Sequence, residues 1–137
     1  MAVTGAIWAV FVLIHLWGNL KVWQGAAAFD GYAHWLRTFG YPLVPQEFVL
    51  WALRIVLALS LVAHVAGGLI LWARSYRARG SVRAEGMLRL SRLMVVSGLV
   101  VLVFVVVHIS DLTIGVEPVA TGDFVYGSAY ANLIASL

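Results

Sequence analysis

The sequence predicts an all-α integral membrane protein with three transmembrane helices. Three observations carry this. The 137-residue chain is 63% hydrophobic and 11% charged, with a mean hydropathy of +0.96. A soluble domain has about 45–50% apolar and ~25% charged residues. The apolar residues gather in three long stretches, each near the ~20 residues a helix needs to cross a ~30 Å hydrocarbon layer. The basic residues gather mainly in one connection between those stretches.

The first stretch runs from about Met1 to Leu20. It lacks the basic start and small-residue cleavage site of a signal peptide, and it carries His15 and Asn19, so it reads as a span. The second runs from about Phe48 to Trp72, with Arg54 as its one charge, and the third from about Leu93 to Ile109 without charge. In lipid each must be helical, because a helix satisfies its own backbone polar groups. With their flanks, the expected spans are residues 1–23, 48–74 and 92–114 of one membrane domain, 1–137.

The connections set an expected orientation. The loop 75–91 and its edges hold Arg74, Arg77, Arg79, Arg83, Arg89 and Arg92 against Glu85. By the positive-inside rule this loop is cytoplasmic. The loop 24–47 and the tail 115–137 then face outside, and the N-terminus lies inside. The tail side carries Asp111, Glu117 and Asp123 and no Lys or Arg. Topology alone explains the arginine cluster, so nucleic-acid binding is not expected. Trp17, Trp23, Trp51 and Trp72 fall where an aromatic belt would lie. Ala26–Phe39 reads as a short amphipathic helix on the outer surface, broken by Gly40 and Pro42.

Each span holds one histidine: His15, His64 and His108. Ionisable residues inside a membrane are rare and usually functional. The plainer reading is a hydrogen-bonded strut between helices. Depth separates the three. At ~1.5 Å per residue, His15 and His108 lie roughly 6–12 Å below the outer surface, and His64 roughly 24 Å down. Two imidazoles at one level suit the axial positions of a heme, so His15 and His108 form the expected pair. No second histidine of the chain falls at the level of His64; if it is also a ligand, its partner lies on another helix, which points to a second heme. Zinc or copper would need three or four ligands converging on one point. The chain has no cysteine, which excludes disulfides and thiolate-held metal clusters.

Small residues flank the histidines: Gly18, Gly67, Gly68 and Ser60. They either admit a flat macrocycle or let helices pack. Arg54 is a candidate partner for a heme propionate or a quinone carbonyl; the alternative is a side chain reaching up to the interface. Asn19, Ser110 and Asp111 lie near the same level. His34 reads as a surface residue of the outer loop.

Several runs carry a family resemblance. They are His15-Leu16-Trp17-Gly18-Asn19-Leu20-Lys21-Val22-Trp23, Tyr32-Ala33-His34-Trp35-Leu36-Arg37 and Leu50-Trp51-Ala52-Leu53-Arg54. His64, Ser97-Gly98, His108 and Asp123-Phe124-Val125-Tyr126 continue the pattern in order along the whole chain. Together they resemble the cytochrome b membrane anchor of succinate dehydrogenases and fumarate reductases, of the single-anchor, five-helix, two-heme type. The resemblance implies heme b, with His15 and His108 on the outer heme and His64 on the inner one. It implies flavoprotein and iron–sulfur subunits as partners, menaquinone or ubiquinone as electron carrier, and the bacterial cytoplasmic membrane as location. Quinone contacts would fall to Arg54, Asn19 and Asp111. The family has five helices where this chain has three, so a fragment is expected, or a split anchor completed by a second small subunit. The remaining alternatives are a heme-free structural subunit and the anchor of another diheme quinone oxidoreductase; a transporter is disfavoured by the unbroken spans.

Overall fold

The computed structural model describes residues 1–78, 85–117, 119–120 and 124–137, with residues 85–92 described by backbone alone. Among these residues every regular element is helical. Helix α1 (Ala2–Asn19) runs into a 3-10 turn at Leu20–Gln24, followed by α2 (Ala26–Thr38) and α3 (Phe48–Ala78). Helix α4 (Glu85–Ile109) ends in a π-helical turn at Ser110–Ile114, and α5 spans Ala129–Ala135.

Three segments are long and apolar enough to cross a membrane: Ala2–Gln24, Phe48–Ala78 and Leu93–Ile114. The expected spans start and end within a few residues of these. Their surfaces are those of helices solvated by lipid. Leu13, Leu59 and Val62 are each 67% exposed. In water each such side chain forgoes about 1.5–3 kcal/mol of burial; in lipid it forgoes almost nothing, because acyl chains are as apolar as leucine. The chain is an all-α, multi-pass membrane protein.

Helical structure reaches into the connection 75–91 from both sides. Helix α3 continues through Ala78, and α4 begins at Glu85. Arginine and alanine are strong helix formers, and Arg77 in the last turn of α3 complements the carbonyl end of the helix dipole. Nothing in the sequence before Ala78 breaks the helix, so it carries on past the apolar stretch. Arg79, Arg83 and Asp123 lie outside the described residues.

The chain divides into two compact units, Met1–Ser75 and Tyr76–Leu137. In the first, the start of α1 meets the middle of α3. A methyl added at Gly67 would stand 3.1 Å from Met1 Sδ, and one at Gly68 3.6 Å from Met1 Cε. Thr4 Oγ1 lies 3.0 Å from His64 Nδ1. Rising residue numbers on α1 thus meet falling numbers on α3, and the two helices are antiparallel here.

At the other end of α1 the chain turns at Gly25, whose φ of 91° is left-handed and favours glycine. Helix α2 comes back onto α1. The Tyr32 ring covers Gly18, where an added methyl would stand 2.7 Å from it. Trp17 meets Tyr32 edge-on at 5.9 Å, Tyr32 stacks with Trp35 at 5.8 Å, and Lys21 Nζ sits 4.7 Å above the Trp17 ring. Such aromatic contacts are each worth about 0.5–1.5 kcal/mol beyond area. Helix α2 is tied to the head of α3 by Glu47, whose N–H donates to Arg37 O at 2.6 Å and whose Oε1 lies 3.8 Å from Arg37 Nε.

In the second unit, Asn132 on α5 is buried and grips one residue twice. Its Nδ2 donates to Val125 O at 2.8 Å, and its Oδ1 accepts from Val125 N at 3.0 Å. The Phe124 ring occupies the space that a side chain at Gly115 would need. The tail after α4 is therefore a packed cap rather than a free strand of chain.

Candidate functional site

The three membrane histidines occupy two kinds of setting. His15 stacks on Phe11, one helical turn earlier, with ring centroids 5.2 Å apart and planes 18° from parallel. His108 stacks on Phe104 in the same way, at 5.4 Å and 22°. The spacing is identical, Phe-x-x-x-His, in Phe11–His15 and Phe104–His108. Side chains four apart on a helix lie one above the other, so each phenyl ring holds its imidazole near one plane. The repeat was readable in the sequence and carries the orientation of both rings, yet only the histidines drew notice there.

His64 has no aromatic ring one turn before it; Ser60 stands there instead. It is half-buried against α1, with Thr4 Oγ1 at 3.0 Å from Nδ1. A methyl on Gly5 would stand 3.5 Å from its Cε1. Thr4 is 60 residues away in sequence, and no local pattern marks it.

This contact also fixes heights. Thr4 and His15 are both on α1, eleven residues apart, which is about 16 Å of helix at ~1.5 Å per residue. His15 and His64 therefore stand at different levels and do not converge. Continuing the antiparallel register from Thr4–His64 brings Trp8 to the height of Ser60, and His15 to that of Leu53. His108 belongs to the other unit and is half-buried on α4. Among the described residues, no three His, Cys, Asp or Glu side chains gather closely enough to hold a bare metal ion.

Two buried polar atoms of this unit are orphans. Ser60 Oγ and Trp8 Nε1 are both buried and have no hydrogen-bond partner among the described residues; Ser60 is only 6% exposed. Each such atom costs about 1–3 kcal/mol, so each calls for an explanation. Both can donate, and both suit an acceptor oxygen such as a carboxylate. Ser60 stands one turn before His64 on the same helix face.

The small residues resolve differently from the macrocycle reading. Gly18 makes room for Tyr32, and Gly67 and Gly68 make room for Met1. Their smallness serves packing within the unit. The Arg54 guanidinium lies 4.9 Å from the centre of the Trp51 ring, directed along α3 towards its Phe48 end. Asn19, the last residue of α1, is half-buried, and Asp111 is half-buried in the π turn. Asp111 and Arg54 belong to different units. His34 is exposed on α2. Compared with known proteins, the chain matches no family model, no curated protein and no solved structure.

Proposed function

We propose that this chain is the cytochrome b membrane anchor of a succinate:quinone or fumarate:quinone oxidoreductase, seated in the bacterial cytoplasmic membrane with its N-terminus inside. The observation that supports it best is the division of the histidines. His15 and His108 share one local design, a Phe-stacked imidazole near the same end of each span. His64 has another, at a different height. That is the pattern expected of one like pair of axial ligands plus a single ligand for a second heme.

Heme b, when bound, supplies a one-electron carrier within the bilayer. The chain's own part is to hold it and set its surroundings. His15 and His108 offer imidazoles whose planes are set by Phe11 and Phe104. His64 offers a third imidazole for the inner heme, with Ser60 and Trp8 as donors to an acceptor oxygen near it. Arg54, lifted along α3 by Trp51, offers positive charge to a propionate or a quinone carbonyl, with Asn19 and Asp111 as further quinone contacts. Flavoprotein and iron–sulfur subunits would carry the dicarboxylate chemistry and exchange electrons with menaquinone or ubiquinone through this anchor.

One observation favours a second reading. The contact between Thr4 and His64 ties α1 to α3, as a packing histidine in a heme-free structural subunit would. The deciding experiment is a reduced-minus-oxidised optical spectrum of the detergent-purified chain supplied with heme. A b-type band lost in both His15→Ala and His108→Ala supports the anchor. No band at all supports the structural subunit, and a band indifferent to both substitutions overturns the pairing of His15 with His108.

A further inference from the structure

Thr4 has one hydroxyl proton and two polar neighbours. Its Oγ1 lies 2.9 Å from Met1 O and 3.0 Å from His64 Nδ1. A hydroxyl donates once and accepts through two lone pairs. The carbonyl oxygen can only accept, so it takes the Thr4 proton. The second contact is then a hydrogen bond only when His64 Nδ1 carries the ring proton and donates it to Thr4. A neutral imidazole has one ring proton. With that proton on Nδ1, Nε2 keeps a free lone pair.

We propose that Thr4 is a positioning residue that holds His64 as its Nδ1–H tautomer and presents Nε2 as the ligating atom. This rests on the reading of His64 as a heme ligand and names the group that prepares it. A ligating histidine generally donates its other ring N–H to a fixed acceptor, which sets tautomer and ring orientation and raises the basicity of the ligating nitrogen. Here the acceptor comes from the first turn of α1, brought to the middle of α3 by antiparallel packing. The hydroxyl is itself oriented by its bond to Met1 O, so it faces His64 with a lone pair. Gly5 beside it has no side chain, which leaves the imidazole edge against α1, 3.5 Å from where a methyl would stand.

The test is read on the heme-free full chain. Histidine is labelled with 15N, the chain is placed in lipid bilayers at alkaline pH where imidazole is neutral, and the His64 signals are assigned by their loss in His64→Gln. The expected result is a protonated Nδ1 and an unprotonated Nε2. Thr4→Val, which keeps the shape and removes the acceptor, should move the population towards protonated Nε2, and Thr4→Ser should restore it. A wild-type chain with its proton on Nε2, or a Thr4→Val chain with unchanged His64 signals, would overturn the proposal. Because no heme is present, this outcome is separate from the optical test of heme binding.

Discussion

His64 and the pair His15 and His108 are positioned by different physics. The pair relies on neighbours four residues away on the same helix, Phe11 and Phe104. That support exists as soon as the helix forms. His64 relies on Thr4, which reaches it only after α1 has packed against α3. The local arrangement tolerates movement between helices, since ring and imidazole travel together. The non-local one is sensitive to it, since a shift of one residue along α1 moves Thr4 by about 1.5 Å and turns it by about 100°. A stacked imidazole has its ring plane set by its neighbour. A hydrogen-bonded imidazole commits one of its ring nitrogens.

The largest effect that would break this comparison lies in the histidines themselves. His15→Ala and His108→Ala should each lower heme retained by the purified chain by about tenfold or more, measured by pyridine hemochrome assay. His64→Ala should leave that heme in place. Equal loss from all three substitutions would remove the distinction between pair and single ligand.

Next come the orphaned donors. If Ser60 Oγ and Trp8 Nε1 serve a bound group, Ser60→Ala and Trp8→Phe should leave the heme-free chain unchanged or more stable, by up to about 1–3 kcal/mol. The same substitutions should weaken the full complex's hold on the His64-dependent heme. Unfolding in denaturing detergent, with and without heme, gives both readings. A loss of stability in the heme-free chain would mean that these atoms already have partners.

Phe11→Leu and Phe104→Leu keep apolar volume and remove the ring. Each should cost about 0.5–1.5 kcal/mol and broaden the low-spin electron paramagnetic resonance signal of the heme held by His15 and His108. Ring planes set elsewhere would leave that signal as sharp as in the wild type. Smallest of all is Gly5→Ala. Its methyl would meet His64 at ordinary contact distance, so stability should stay within about 0.5 kcal/mol. A large loss there would show that α1 and α3 approach more closely than the Thr4–His64 contact requires.

Much was legible in the residues alone. The three spans, the amphipathic helix at Ala26–Phe39 and its break before Pro42 all follow from composition and short-range pattern, and α2 ends at Thr38. The histidine levels are an expectation from counting residues along helices; the structure itself sets His64 against the first turn of α1. Helix α3 outruns the apolar stretch, to Ala78, because hydropathy falls at Arg74 while helix propensity does not. Asn132 passed unnoticed because a buried amide that clamps Val125 looks, in sequence, like any polar residue in a tail.

What the amino-acid sequence determined by itself is therefore what depends on one helix at a time. Span number and the Phe-x-x-x-His stacks belong here, because a helix has a fixed rise and a fixed four-residue neighbour. Only the tertiary structure decided what depends on two segments meeting. It used Gly18 for Tyr32 and Gly67 for Met1, left the Ser60 hydroxyl and the Trp8 indole N–H without a hydrogen-bond partner among the described residues, and set Thr4 against His64. Those outcomes turn on the rotation and register of one helix against another, to within about one residue of rise. Apolar side chains gain little from choosing one neighbour over lipid, so the hydropathy that marks each span says almost nothing about which of its faces meets which.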